Sequence, residues 1–288
     1  MVAQFITSTG KRSFSELSDV FFAAASAGGR ALLDTPAGAI ETKSDGSPVT
    51  RADLASDTAI RNILSHHYQD VPIISEEHST SLPHGHGDKP FILVDPMDGT
   101  KEYISGHHDY AICIGLIVAR RPVAGIILAP AQKMAWQGIA QGAEFNQAEE
   151  LALDNNLHKI NGARKALKLT RLNASPMSVV TSRSHSDAHS TQLIARFPDI
   201  RHVTMGAALK FVAVARGDAC LYPRGTGSME WDTAAGEAIL MAAGGHVLAT
   251  EGTPLVYGKA NHNFCNGSFI AGSNKDIVQS ALAQWAAC

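Results

Sequence analysis

The stretch Phe91-Ile-Leu-Val-Asp-Pro-Met-Asp-Gly-Thr100 decides the fold, because it joins an apolar run to two closely spaced acids. The apolar run predicts a short core strand that continues directly into Asp95. The proline favours a tight turn after that strand, which can direct the carboxylates of Asp95 and Asp98, with the Met97 carbonyl, at one point. Gly99-Thr100 then predicts the N-terminus of a short helix, whose free N–H groups form an anion site that suits phosphate.

Two further acidic segments lie beside predicted core elements. Glu76-Glu77 end an apolar strand predicted over residues 71–75, and Asp232 opens a helix predicted over residues 232–243. Each acidic segment taken alone is consistent with solvated acids or a helix cap, but the conjunction of all three favours a shared site. Carboxylates beside a core carry a desolvation cost, and we expect no nearby Lys or Arg to offset it. A divalent cation is then the natural partner.

The chemistry predicted from these residues is the hydrolysis of a phosphate ester. All the candidate ligands offer oxygen and none is a cysteine, which favours Mg²⁺ or Mn²⁺ over zinc. In this interpretation Asp95 bridges two ions and Asp98 binds one. Carboxylates, ions and helix N–H groups at one point are typical of metal-assisted attack of water on a phosphate.

The hydrophobic periodicity predicts an α/β protein with an α+β N-terminal half and an α/β C-terminal half. Ser13, followed by Glu16, predicts a capped helix. A second helix is predicted to begin at Thr50, and its apolar face would carry Ala52, Ala55, Ala59 and Ile63. Three antiparallel strands are predicted within residues 110–139.

A change in the pattern of predicted strands and helices predicts a domain boundary near residue 168. Residues 141–169 are polar and aperiodic, and alternating strands and helices are predicted after them. We therefore expect a domain over residues 1–168 with most of the metal ligands. A second domain over residues 169–288 would carry Asp232 and the residues that determine substrate specificity.

The composition excludes several classes of protein. Of the 288 residues 45% are hydrophobic, which excludes a disordered chain, and the net charge of −3 gives no general attraction to DNA or RNA. No apolar run approaches the roughly twenty residues of a membrane span. The N-terminus predicts no secretory signal, and the four cysteines form no CxxC pair. We expect a cytoplasmic protein and leave open whether it also binds the inner face of the membrane. We expect it to act on a small phosphorylated metabolite as a monomer or homodimer.

Two motifs resemble the signatures of the lithium-sensitive, Mg²⁺-dependent phosphatases related to inositol monophosphatase. They are Asp95-Pro-Met-Asp-Gly-Thr100 and Trp231-Asp-Thr-Ala-Ala-Gly236, with supporting segments at 47–53 and 74–77. The resemblance extends from about residue 13 to the C-terminus. It implies a layered αβαβα sandwich of the type shared by inositol monophosphatase and fructose-1,6-bisphosphatase. It also implies two to three Mg²⁺ ions, replaceable by Mn²⁺, and inhibition by Li⁺ at a Mg²⁺ position.

The resemblance implies roles for individual residues at the ions. Two sets of oxygen ligands would hold them: Glu76, Asp95 and the Met97 carbonyl for the first ion, and Asp95, Asp98 and Asp232 for the second. A weaker third ion would use Glu76. Asp53 and Thr100 would orient the attacking water and help to deprotonate it, so the predicted catalytic residues are Asp53, Glu76 and Thr100.

Other residues would bind the substrate by the same resemblance. The N–H groups of Gly99 and Thr100 would bind the transferred phosphate, with Lys101 beside them. Lys210 and Arg224 match positions that contact the nucleotide or its second phosphate. His185 would contact the base.

Several segments resemble the 3'(2'),5'-bisphosphate nucleotidase branch of this family. They are Lys101-Glu102-Tyr103, 208–211, 217–218 and 221–224. The implied reaction removes the 3'-phosphate from adenosine 3',5'-bisphosphate and gives AMP. Ala207-Ala208 departs from the usual Ser-Ser, which removes two hydroxyl donors from the predicted nucleotide pocket.

Three alternatives remain open. The first is an inositol-1-phosphate or fructose-1,6-bisphosphate phosphatase of the same family. The second is a phosphatase of the haloacid dehalogenase type, although its D-x-D-G-T motif is one residue shorter than the D-x-x-D-G-T found here. The third is a nucleotide sensor that keeps the fold without turnover.

Overall fold

The computed structural model describes residues 4–7, 10–36, 38, 40–43, 46, 48–78, 82, 86–141, 146–169, 176–184 and 187–286. The helices in these segments are α1 Phe14–Asp34, α2 Arg51–His67, α3 Thr100–Ile104, α4 Ala188–Ala195, α5 Leu209–Ala215, α6 Glu230–Ala242 and α7 Lys275–Trp285. The strands are β1 Gln4–Thr7, β2 Gly10–Ser13, β3 Glu41–Thr42, β4 Pro48–Val49, β5 Ile73–Ser75, β6 Phe91–Asp98, β7 Ala111–Val118, β8 Arg121–Ala129, β9 Met134–Ala140, β10 Asn146–Ala152, β11 Lys165–Ala166, β12 Met177–Ser182, β13 Ile200–Met205, β14 Leu221–Arg224, β15 Ser228–Met229, β16 His246–Ala249, β17 Cys265–Asn266 and β18 Phe269–Gly272.

Two large sheets organise the chain. The first has seven strands in the order β11-β10-β9-β8-β7-β6-β5, and only its β5–β6 pair is parallel. The second has five strands in the order β13-β12-β14-β18-β16. Its first three strands run parallel and the β14–β18–β16 part is antiparallel.

Helices and sheets alternate in five layers. α1 and α2 pack on one face of the seven-stranded sheet, α5 and α6 lie between the two sheets, and α4 and α7 cover the outer face of the five-stranded sheet. A separate apolar cluster lies under α1 and α2, and another under α4 and α7, while a third joins the two sheets through the central helices. The predicted αβαβα sandwich is therefore confirmed.

A row of three glycines brings α6 close to the seven-stranded sheet. Gly115, Gly125 and Gly138 are directly paired across β7, β8 and β9. A Cβ on Gly125 would lie 2.6 Å from the Cα of Ala235, and one on Gly138 would lie 2.6 Å from the Cα of Ile239. No larger residue fits there without moving the helix, so this row fixes the depth at which α6 sits on the sheet.

The sequence analysis predicts where the helices begin more accurately than which of their residues are buried. Ser13 caps α1 as predicted, since its hydroxyl accepts from the N–H groups of Ser15 and Glu16 at 3.2 and 3.4 Å. The sequence analysis is wrong about which face of α2 is buried. Of the four residues predicted to be buried, Ala55, Ala59 and Ile63 are only partly buried. The residues that the structure buries are Ala52, Asp53, Ser56, Asp57, Ile60 and Leu64.

Residues 141–169 contain a strand that the sequence analysis did not predict. β10 pairs with β9, and its two acids are buried and partnered. Glu150 accepts from the indole of Trp136 at 2.9 Å, and Arg216 lies 2.9 Å from the same oxygen. The partners of these acids lie on other elements. The sequence of the segment itself is therefore polar and shows no strand period, although the middle of the strand is buried. The domain boundary near residue 168 stays a prediction. Among the described helices, none is long and apolar enough to cross a lipid bilayer.

Candidate active site

A cavity of about 280 Å³ opens where β6, α3, α5, β14 and α6 meet. Most of the predicted site residues line it: Glu76, Asp95, Met97, Asp98, Gly99, Thr100, Lys101, Lys210, Arg224 and Asp232. Asp53 lies behind this lining and reaches it through Thr100. His185 lies outside the described residues.

Three acids from distant parts of the chain converge at one end of the cavity. Glu76, Asp95 and Asp232 each place a carboxylate oxygen within 4.8 Å of the others. Glu76 follows β5, Asp95 lies within β6, and Asp232 is in the first turn of α6. Oxygen donors at this spacing suit a hard divalent cation such as Mg²⁺ or Mn²⁺.

The turn after Asp95 is held in shape by two hydrogen bonds. The Ser56 hydroxyl donates to the Pro96 carbonyl at 2.8 Å, and the Met97 N–H donates to the Asp95 carboxylate at 3.0 Å. The pairing of β6 with β7 shifts register between Asp95 and Asp98. Because of this irregularity Asp98 points toward α5, where its carboxylate accepts from the Ala208 N–H at 2.6 Å. Asp98 is not one of the three acids within 4.8 Å of one another, but it is close enough to act on the charges of Asp95 and Asp232.

The acids of the cavity disfavour one another's charge. Burial raises the pKa of Asp95 well above its ordinary value, and Glu76, Asp98 and Asp232 raise it further. The pKa of Asp232 is raised for the same reasons, with Asp98 as the main neighbour. Burial raises the pKa of Asp98 to about 6, although Lys210 and the Ala208 N–H lower it. A cation between these groups would offset that mutual repulsion.

One cation already lies beside Glu76, contrary to our expectation. The Lys43 ammonium is 2.6 Å from Glu76 and 2.7 Å from Glu77. The pKa of Lys43 is raised, because the two glutamates outweigh the opposite effect of its burial. The expectation of no nearby Lys or Arg is therefore wrong for these two glutamates, and it is wrong for Asp98 as well, whose charge Lys210 favours. Among the described residues, no Lys or Arg forms an ion pair with Asp95 or Asp232.

Asp53 and Thr100 form a hydrogen-bonded pair beside the acids. Asp53 accepts from the backbone and the hydroxyl of Thr50 at 2.8 and 2.6 Å, which closes a capping box at the start of α2. The Thr100 hydroxyl lies 3.1 Å from Asp53 and 3.2 Å from the Met97 carbonyl. Burial raises the pKa of Asp53, while these hydroxyl groups lower it. Asp53 can thus orient Thr100 and receive a proton through it.

The cavity is also lined by two cationic side chains, Lys210 and Arg224. Lys210 is buried, donates to the Ala207 carbonyl and lies 5.5 Å from the centre of the Tyr222 ring. Burial lowers the pKa of Lys210 to about 8, as does Arg224, although Asp98 opposes the change. The Nε of Arg224 is buried and has no hydrogen-bond partner among the described residues. Two cationic groups in one cavity suit a second anionic group of a substrate.

Ala207 has a strained backbone next to Lys210. Its φ of +53° lies in the left-handed region that non-glycine residues rarely adopt. This conformation turns the Ala207 carbonyl to the Lys210 ammonium and the next N–H to Asp98. The two alanines therefore hold functional groups through their backbone, while their methyl groups provide none of the hydroxyl donors of the usual Ser-Ser.

Sequence reasoning missed several residues that shape the site. Lys43, Ser56 and Asp57 contact the predicted acids or the turns that carry them. For Ser56 and Asp57 a signal was available, because they share one helical face with Asp53 in an otherwise apolar stripe. Lys43 gave no local signal, since its partners follow 33 and 34 residues later.

A profile of the inositol monophosphatase family matches residues 15–284. The chain belongs to the inositol monophosphatase family. It is 36% identical to the 3'(2'),5'-bisphosphate nucleotidase CysQ of Escherichia coli strain K12. The alignment spans 230 residues, which are 80% of this chain and 87% of that protein. The nucleotidase CysQ of Buchnera aphidicola is 33% identical over 233 residues, 81% of this chain and 83% of the relative.

Solved structures of this family share the fold. The crystal structure of CysQ from Bacteroides thetaiotaomicron superposes with a TM-score of 0.76 at 28% identity, covering 91% of this chain and 98% of that one. An inositol monophosphatase from Anabaena gives a TM-score of 0.71 at 25% identity, over 94% and 96% of the two chains. The resemblance drawn from the two sequence motifs is confirmed. Inositol monophosphatase family members are metal-dependent phosphatases that act on small phosphorylated substrates.

Proposed function

We propose that the protein is a Mg²⁺-dependent 3'(2'),5'-bisphosphate nucleotidase, which hydrolyses adenosine 3',5'-bisphosphate to AMP and inorganic phosphate. One observation carries this proposal: the cavity that holds the converging acids is also lined by two cationic side chains, Lys210 and Arg224. A substrate with two phosphates suits a cavity that offers both kinds of group. The curated CysQ relatives that bear this name support the same activity.

The acidic end would hold the ions. Glu76, Asp95 and the Met97 carbonyl would hold one ion, and Asp95, Asp98 and Asp232 would hold another, with a weaker third ion at Glu76; all of these residues line the cavity. When bound, such ions neutralise phosphate charge and make water more acidic. Mn²⁺ would substitute for Mg²⁺, and Li⁺ would inhibit by taking one of the Mg²⁺ positions.

The chain's own groups would handle the proton. The attacking water gives a proton to the Thr100 hydroxyl, which passes its own to Asp53, 3.1 Å away. The raised pKa of Asp53 favours that transfer. The oxygen of the water then bonds to phosphorus, the bond from phosphorus to the sugar oxygen breaks, and that oxygen takes up a proton from solvent.

The rest of the cavity would orient the nucleotide. The N–H groups of Gly99 and Thr100, with Lys101 beside them, would bind the phosphate that is removed. Lys210 and Arg224 would bind the remaining phosphate. His185, for which we predict a contact with the base, lies outside the described residues.

A substrate panel tests the proposed activity. Phosphate release would be measured at fixed Mg²⁺ from adenosine 3',5'-bisphosphate, inositol-1-phosphate and fructose-1,6-bisphosphate. We expect the first to have the highest kcat/KM and Li⁺ to inhibit it. Equal or faster hydrolysis of inositol-1-phosphate would overturn the nucleotidase assignment, and phosphate release that persists in excess chelator would reject the dependence on metal.

We also infer that the protein acts in the cytoplasm as a monomer or homodimer. Cys113 and Cys220 are free and buried, which is typical of proteins from a reducing compartment. Light scattering of the purified protein would measure its mass, and a trimer or larger assembly would contradict the proposal. Cell fractionation would separate a cytoplasmic protein from one bound to the inner face of the membrane.

A further inference from the structure

The buried face of α2 contacts three separate parts of the site. Asp53 accepts from Thr100, and Ser56 donates to the carbonyl of Pro96. Asp57, one helical turn after Asp53, contacts the turn that carries Glu76. The first two contacts concern residues already placed in the mechanism. The third concerns a carboxylate that no step of the mechanism uses.

Asp57 contacts both ends of that turn. Its side chain has 0% exposure, and its two oxygens have different partners. The Ser75 hydroxyl donates to one oxygen, and Nδ1 of His78 lies 2.7 Å from the other. Arg61 approaches the second oxygen at 3.3 Å from the solvent side. Asp57 is therefore a buried acid whose charge is offset within the fold.

The segment between Ser75 and His78 is a tight turn with the glutamates at its centre. The His78 N–H donates to the Ser75 carbonyl at 3.1 Å, which closes the turn. The Glu76 N–H donates to the Val94 carbonyl at 3.1 Å and ties the turn to β6. Asp57 thus holds the first and last residues of a turn whose second residue is a predicted metal ligand.

The residue types raise the alternative of a nucleophilic serine. In a Ser-His-Asp triad the histidine lies between the other two and takes the serine proton. Here Asp57 lies between Ser75 and His78, and the Ser75 side chain is fully buried. The serine has neither a base nor access to a substrate, so the arrangement positions the turn and does not attack an ester.

We propose that Asp57 is a positioning residue that presents Glu76 to the divalent cation and thereby sets the affinity for that cation. The inference rests on the proposed function for the existence of the cation. Without Asp57, Ser75 and His78 lose their shared partner and the turn is free to move. Glu76 would then remain with Lys43, which already holds it at 2.6 Å. Groups that fix a metal ligand in this way typically change affinity by about 10–100-fold when they are removed.

The variant Asp57→Asn tests this role in the full-length protein. Mn²⁺ binding would be measured without substrate, by calorimetry and by the loss of the free-ion EPR signal. We expect the Kd for Mn²⁺ to rise by about tenfold or more. We expect kcat to be largely restored at saturating Mg²⁺, with the KM for the nucleotide unchanged. A general structural defect would instead lower kcat at every Mg²⁺ concentration.

Arg61→Gln is the matched control, because it removes the solvent-side partner of the same carboxylate and leaves both turn contacts. Its Kd for Mn²⁺ is expected to match that of the wild type. A folded Asp57→Asn protein with the wild-type Kd would overturn the proposal. If that variant does not fold, His78→Ala removes one of the two turn contacts, and an unchanged Kd there would overturn it as well. Wild-type protein that binds no Mn²⁺ would instead reject the metal site itself.

Discussion

Helix α6 carries two kinds of acid, one buried and one partly buried, and their surroundings differ sharply. Glu237 has 0% exposure, accepts from the Tyr257 hydroxyl at 2.7 Å and lies 3.2 Å from Arg121. Among the described residues Asp232 accepts from one backbone N–H, that of Met229 at 3.1 Å, and its main charged neighbours are the acids Asp98 and Glu76. The first acid has its partners within the fold. The second has carboxylates where a partner would be.

Glu230 and Asp95 differ in the same way: Glu230 has several compensating contacts within the fold, and Asp95 has almost none among the described residues. Glu230 accepts from the N–H groups of Gly258 and Lys259 at 2.6 and 2.9 Å and also contacts the Lys259 ammonium. Asp95 has 1% exposure, and its one acceptor contact among the described residues is with the Met97 N–H. An acid that stays buried without compensation destabilises a fold. The difference therefore separates acids with compensating contacts inside the fold from acids whose charge a bound cation would offset.

The largest expected effect is on turnover. Asp95→Asn removes a ligand that both proposed ions share, and we expect kcat to fall on the order of 10³-fold. Because the substitution also removes an uncompensated buried charge, the metal-free variant should melt at the wild-type temperature or above it. Calorimetry and phosphate release check both parts. A variant that retains the wild-type rate would show that the unpartnered acids are not catalytic.

Glu237→Gln should give the opposite result. It keeps the shape of the side chain but weakens the contacts with Tyr257 and Arg121, so we expect the free energy of unfolding to fall by about 1–2 kcal/mol. Turnover should remain near the wild-type rate, since Glu237 does not line the cavity. Denaturant titration and a rate assay on the same sample separate the two effects. A large loss of rate without a loss of stability would contradict the distinction between the two kinds of acid.

The acids that the structure brings into one cavity can be singled out in the sequence, because each lies at a recognisable boundary. Asp95 ends an apolar run and Asp232 begins a helix, so their places follow from local pattern. Their approach to one another depends on how deeply α6 packs. That depth is set by Gly115, Gly125 and Gly138, whose pairing across three strands no local pattern reveals.

The polar residues around the site were harder to predict for a related reason. An apolar stripe was expected on α2, yet Ser56 and Asp57 are buried there because their partners lie on other elements. Lys43 likewise reaches Glu76 across 33 residues. Helical and strand periods report the solvent-facing and core-facing sides of an element. They do not report a polar contact that two distant segments form together.

The smallest expected effect is on stability at different pH values. Burial and neighbouring acids raise the pKa of Asp95 and Asp232, and burial raises that of Asp98 to about 6. Between the ordinary carboxylate pKa of about 4 and these raised values the folded state binds more protons than the unfolded chain, so the free energy of unfolding falls as pH rises across that interval. We expect the Tm of metal-free protein to fall by roughly 5 °C between about pH 5.5 and about pH 8.

Saturating Mg²⁺ should remove most of that fall, because the ionised acids are then compensated. Glu77 and Glu237, whose pKa values burial raises to about 7, titrate in the same range, so the comparison with and without Mg²⁺ isolates the site. Equal falls in both conditions would mean that the cavity acids are compensated without a cation.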